Sequence, residues 1–181
     1  MKRLPDLAIG SYEAACVLGV HWTTPGRMAQ KGLLTTRTLR SPIKNDTDRE
    51  FVVYSLHECE ADFREYEDKV LGRGGKSDRR PRGFVDERPA MLKYLATVEP
   101  ILFGDAVSTG DAGEVVGTHW TFCARLATAG KIRGRVLRNS RHQKSRLWIF
   151  SRQSCEANAA VAFRQQEAGT KKGRPRRKRP A

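Results

Sequence analysis

His21, Trp22, Thr23, Thr24, Arg27 and Lys31 fall close together, and His119, Trp120, Thr121 and Arg125 repeat the leading residue types at the same spacing. Imidazole, indole N–H, hydroxyl and guanidinium groups this close together form a dense set of hydrogen-bond donors. Arg27 and Arg125 can span a guanine edge or a phosphate, and Thr23 and Thr121 can donate to phosphate or touch a thymine methyl. Such a set binds rather than catalyses. The chain has no Gly-rich phosphate loop, no HExxH, and no nucleophile with a base at recognisable spacing. A histidine that recurs inside a repeat points to a shared binding role, so no enzymatic activity, cofactor or metal is expected. Cys16, Cys59, Cys123 and Cys155 are too far apart for a local metal pair and are expected to be buried, reduced thiols.

The recurrence is not confined to these residues. Gly19–Arg40 aligns with Gly117–Arg138 without a gap, giving 10 identities in 22 positions. They include Gly19/Gly117, Trp22/Trp120, Gly32/Gly130, Arg37/Arg135, Leu39/Leu137 and Arg40/Arg138. Upstream, Ile9, Ser11, Glu13, Ala14 and Val17 face Val107, Thr109, Asp111, Ala112 and Val115. Downstream, after a two-residue length difference, Phe51–Ser55 faces Leu147–Ser151, and Cys59 faces Cys155. A unit of about 60 residues is therefore present twice. The implied organisation is unit 1 over 1–70, a basic linker with a short helix over 71–104, unit 2 over 105–169, and a basic tail over 170–181.

The elements that position the donors follow from periodicity. Ser11 or Thr109 can cap a first short helix, which Gly19 or Gly117 ends in a left-handed C-cap. A second short helix runs to Gly32 or Gly130. Leu33–Arg40 and Phe51–Tyr54 read as two strands joined by a polar loop, and a third helix begins near Ser55 or Ser151. Pro25 shortens the second helix of unit 1 if Thr24 is its N-cap; unit 2 has Cys123 there. Trp22 and Trp120 can be either core or contact residues. Pro89–Val98, with Met91, Leu92, Leu95 and Val98 on one stripe, can pack on either unit or mediate self-association with a second chain.

Helix, tight turn, helix, hairpin, helix is the order of a winged helix-turn-helix. Glu13-Ala14-Ala15-Cys16-Val17-Leu18-Gly19-Val20 resembles the opening of the excisionase-like and MerR-like DNA-binding domains, and Asp111–Thr118 resembles it loosely. The resemblance covers about two thirds of the chain and implies a mainly α fold with small β wings (α+β), built as tandem winged helix-turn-helix units. It implies double-stranded DNA as the partner, recognition helices beginning at His21 and His119, and wings that carry Arg37, Arg40 and Lys44 in unit 1. In unit 2 the wing carries Arg135, Arg138, Arg141, Lys144 and Arg146.

Charge agrees in sign with such a partner. The net charge is +14, divided as −1 over residues 1–70, +3 over 71–104, +5 over 105–169 and +7 over 170–181. The tail contains Lys172-Gly173-Arg174-Pro175-Arg176-Arg177, whose Gly-Arg-Pro centre is like an AT-hook, with Lys172 where that motif usually has Arg. It suits minor-groove reading or sequence-blind phosphate binding. The expected function is sequence-specific DNA binding, as a transcription regulator or an excisionase-like recombination factor. The competing expectation is an architectural protein that bends or compacts DNA with weak sequence preference. No apolar run has signal-peptide or membrane-span length, so a cytoplasmic, nucleoid-associated location is expected, or a nuclear one in a eukaryotic host.

Overall fold

The run Phe51-Val52-Val53-Tyr54 is apolar at every position rather than at alternate ones, which suits a strand buried on both faces. The computed structural model, which describes residues 4–40, 50–71, 84–138 and 147–159, uses it in that way. In unit 1, β1 (Ala8–Gly10) leads into α1 (Ser11–Leu18) and α2 (Thr24–Gln30), then the hairpin β2 (Thr36–Arg40) and β3 (Glu50–Ser55), then α3 (Leu56–Leu71). A 3₁₀ turn (Phe84–Glu87), α4 (Arg88–Leu95) and a second turn (Phe103–Asp105) follow. Unit 2 repeats the first order as β4 (Ala106–Val107), α5 (Thr109–Val116), α6 (Trp120–Thr128), β5 (Gly134–Val136) and β6 (Trp148–Ser151). The helical residues 152–159 form α7. Both sheets are antiparallel, in the orders β1-β3-β2 and β4-β6-β5. Among the described residues the chain is thus α+β.

The leading strands β1 and β4 are not apparent from periodicity, being only 3 and 2 residues long. They put α1 and α5 one residue away from the caps expected from sequence. Gly10 and Ser108, not Ser11 and Thr109, hold the N-cap positions. At Ser108 the side chain accepts from the Asp111 amide at 3.1 Å; at Gly10 the backbone N–H donates to the Glu13 carboxylate at 2.9 Å. Both helices stop at glycines with φ of 67° (Gly19) and 71° (Gly117), a conformation that costs other residues steric strain. Pro25 sits in the first turn of α2, which starts at Thr24, whereas α6 starts two equivalent positions earlier at Trp120. Proline lacks the amide that an earlier helix start would use there.

The alternation of side chains along β1 and β3 divides the interior. Ile9 and Tyr54 turn toward the helices of unit 1 and pack with Cys16, Val17, Leu34 and Cys59. Ala8 and Val53 turn the other way, onto Ala106, Leu137 and Ile149 of unit 2. In unit 2, Val107 and Phe150 pack inward on Ala112, Cys123 and Cys155. The two sheets therefore bury their outer faces on each other.

Residues 84–104, between the units, are folded onto unit 1. Met91 and Leu95 are 2% and 1% exposed within the first core, so of the roles open to Pro89–Val98 the apolar stripe serves packing on unit 1. Arg88 Nε donates to the carbonyl of Val17 at 2.8 Å, supplying a cation to a helix end that has no basic residue of its own in the last turn. The backbone of Ala8 then donates to Ile101, and that of Phe103 to Asp6, both at 2.9 Å. The Gly/Arg-rich stretch expected as the inter-unit linker, residues 72–83, lies outside the described residues and joins α3 to α4, both of which pack on α1.

All four cysteines are buried and free. Burial pushes the Cys16 and Cys155 thiols up to about 12 and also raises those of Cys59 and Cys123. A raised thiol pKa keeps the neutral, unreactive form at pH 8. The native protein should therefore leave an aromatic disulfide reagent unreacted at that pH and release the full four equivalents only in denaturant. Rapid labelling of the native state would show that the cores open.

Candidate nucleic-acid interface

Each unit places the same constellation at the start of its second helix. His21 Nδ1 lies 2.9 Å from Thr23 Oγ1, and His119 Nδ1 lies 2.9 Å from Thr121 Oγ1. His119 is the N-cap of α6, its ring nitrogen accepting from the Thr121 amide. The imidazole and the neighbouring indole are tilted against each other in both copies, with ring centroids 5.7 Å apart at His21–Trp22 and 5.4 Å at His119–Trp120. The repeat thus persists to the level of side-chain geometry.

These groups face outward. Trp22 is 57% exposed, so it is no core residue; Trp120 is half-buried. His21, Arg27, Lys31, His119, Thr121 and Arg125 are exposed, and Thr23 and Thr24 are half-buried. Unit 2 adds Phe122, 48% exposed, with the Arg125 guanidinium 5.4 Å from its ring centroid. Thr24 stands at the equivalent place in unit 1, so the two surfaces share His, Trp, Thr and Arg but differ beside them.

The hairpin cations do not all share this surface. Arg40 is exposed at the end of β2, directly across from Glu50. Arg138 is exposed, its guanidinium 5.1 Å from the centroid of the Tyr94 ring. Arg37 donates from Nη1 to the Phe103 carbonyl at 2.6 Å and is half-buried. Arg135 departs furthest from the expectation of a DNA-facing wing residue. It is 5% exposed and bidentate to Glu13, with Nη1–Oε1 at 2.8 Å and Nη2–Oε2 at 3.0 Å, and Nη2 also donates to the Ala8 carbonyl at 2.6 Å. A guanidinium so enclosed cannot reach a phosphate without breaking the pair, which removes Arg135 from the candidate interface. The reason lies in strand geometry: Arg135 and Leu137 are two apart, hence on one face of the strand, and that face meets unit 1.

Glu13 is the residue that sequence reasoning missed. It is fully buried, and besides Arg135 it accepts from the amides of Gly10 and Arg138, both at 2.9 Å. The repeated pairs Arg37/Leu39 and Arg135/Leu137 put a cation on the same strand face as an apolar residue, a signal that the face is buried but not that Glu13 is the partner.

Lys44, Arg141, Lys144 and Arg146 of the hairpin loops, and Lys172, Arg174, Arg176 and Arg177 of the tail, lie outside the described residues. Among the described residues no helix is long and apolar enough to cross a membrane. Neither a scan against protein-family models nor a search of curated proteins gives a match for this chain.

Proposed function

We propose that each unit is a winged helix-turn-helix module and that the chain is a sequence-specific double-stranded DNA-binding protein, a transcription regulator or an excisionase-like accessory factor for recombination. The observation that carries this reading is the duplicated, outward-facing His-Trp-Thr cluster with an exposed arginine one turn further along, in a chain of net charge +14. The starts of α2 and α6 enter the major groove, where Arg27 and Arg125 meet base edges and the Thr hydroxyls meet phosphate or thymine methyls. Arg40, Arg138 and Lys31 lie against the backbone, joined by the hairpin loops and the tail. The exposed Trp22 indole and the His21 and His119 imidazoles, at the starts of the second helices, add apolar contact at the groove wall.

The uneven distribution of charge favours one alternative, an architectural protein whose affinity comes from the tail and unit 2. Deletion of residues 170–181 separates the two. For a sequence-specific binder, the deletion lowers affinity for every duplex and flattens the salt slope by up to about 0.9 for each phosphate no longer neutralised, while the ratio of specific to non-specific binding persists. For an architectural binder, the deletion removes most of the affinity, and footprinting at moderate salt shows no protected sequence. Absence of duplex binding by the full chain at low salt would sink both.

A further inference from the structure

The contact between the units is reciprocal. Leu39 and Leu137, Val53 and Ile149, and Ala8 and Ala106 are equivalent pairs in the repeat, and all six lie in the one core that the two sheets share. β5 of unit 2 reaches α1 of unit 1 through Arg135 and Glu13, while β2 of unit 1 lies against α5 of unit 2. Equivalent patches meeting each other in this way define an isologous contact, the signature of a two-fold relation; a head-to-tail repeat would bring unlike patches together. The symmetry is broken locally. Arg37, the counterpart of Arg135, donates to the Phe103 carbonyl instead of to Asp111, whose carboxylate accepts from Ser108 Oγ at 2.9 Å.

This contact is also firm. Leu39, Val53, Ile101, Leu137 and Ile149 are all at most 4% exposed, and a bidentate ion pair is enclosed at its edge. Units joined through a buried apolar core do not reorient independently, as units on a flexible tether do.

We infer that the ligand of this chain is DNA carrying two half-sites in inverted orientation at one fixed spacing, so that a single chain meets a pseudo-palindrome as a symmetric dimer does. This rests on the DNA-binding reading proposed above. Two modules related by a two-fold axis, when both second helices engage one duplex, run in opposite directions along it, and the duplex has matching two-fold axes. The half-sites are alike where His, Trp, Thr and Arg recur and differ where Thr24 replaces Phe122.

The test is selection of bound duplexes from a random pool by the full chain, repeated with Arg27→Ala and with Arg125→Ala. The expected outcome is an imperfect inverted repeat of single spacing, in which each variant relaxes a position in one half and the two positions are mirror-related. Flipping one half-site into a direct repeat, or adding two base pairs between the halves, should weaken binding on the order of 10²-fold, because the second module can then no longer engage while tethered to the first. A direct repeat, a lone half-site or a spread of spacings overturns the inference and leaves DNA binding standing. Recovery of no preferred sequence by a chain that still binds duplex overturns both the inference and the sequence-specific reading in favour of the architectural one.

Discussion

Glu13→Ala is expected to lower the free energy of unfolding by about 3–5 kcal/mol, as for other enclosed ion pairs that lose one partner. Glu13 is wholly buried and accepts hydrogen bonds from Arg135, Gly10 and Arg138. Its removal strands the Arg135 guanidinium at 5% exposure without a carboxylate, where Nε already has no hydrogen-bond partner among the described residues and only neutral partners such as the Ala8 carbonyl remain. Urea unfolding followed by tryptophan fluorescence reads the change as a lower midpoint at unaltered slope. Replacing both partners, Glu13→Leu with Arg135→Met, should recover much of the loss, since an apolar pair of similar volume needs no charge compensation. A cost below about 1 kcal/mol for Glu13→Ala would mean that water reaches the pair and that the two units are less firmly joined than the shared core implies.

The second large effect concerns binding. Arg27→Ala combined with Arg125→Ala should weaken affinity for the selected duplex by about 2–6 kcal/mol, taking about 1–3 kcal/mol for each base contact and additivity between separated sites. Both side chains are exposed and neither lies in a described core cluster, so the unfolding midpoint should stay where it is. Fluorescence anisotropy at fixed salt measures the first quantity and urea titration the second. Lys31→Ala is the contrasting control: a phosphate contact weakens all sequences alike and reduces the salt slope. Full affinity in the double variant would place the DNA contact elsewhere on the chain, with the hairpin loops and tail as the remaining cations.

Arg135 shows where legibility stopped. On a strand called a wing, an arginine between apolar neighbours reads as a groove-facing cation, and its identity with Arg37 strengthens that reading. Its actual partner is 122 residues away, and no local pattern announces a contact at such separation. Cys59 and Cys155, by contrast, sit on helices with a clear inner face, and their burial followed from spacing alone. The strands β1 and β4 were missed for a related reason. A strand of two or three residues has too few positions to show a period, and it exists only because β3 or β6 offers it a hydrogen-bonding edge. α4 was legible as a helix but not in its docking, because an apolar stripe fixes which face is buried and not against what.

What one dimension of this chain carries is everything of short range. The duplication, the glycines at which helices end, the proline that delays α2, and the side chains clustered at each second helix are all properties of neighbouring residues, governed by backbone sterics and local hydrogen bonding. Which strand face meets the other unit, why Arg135 is withdrawn from the surface, and in what mutual orientation the two copies are held arise only on folding. Those outcomes depend on burying apolar area and pairing charge between residues far apart along the chain, and such terms have no counterpart in local spacing.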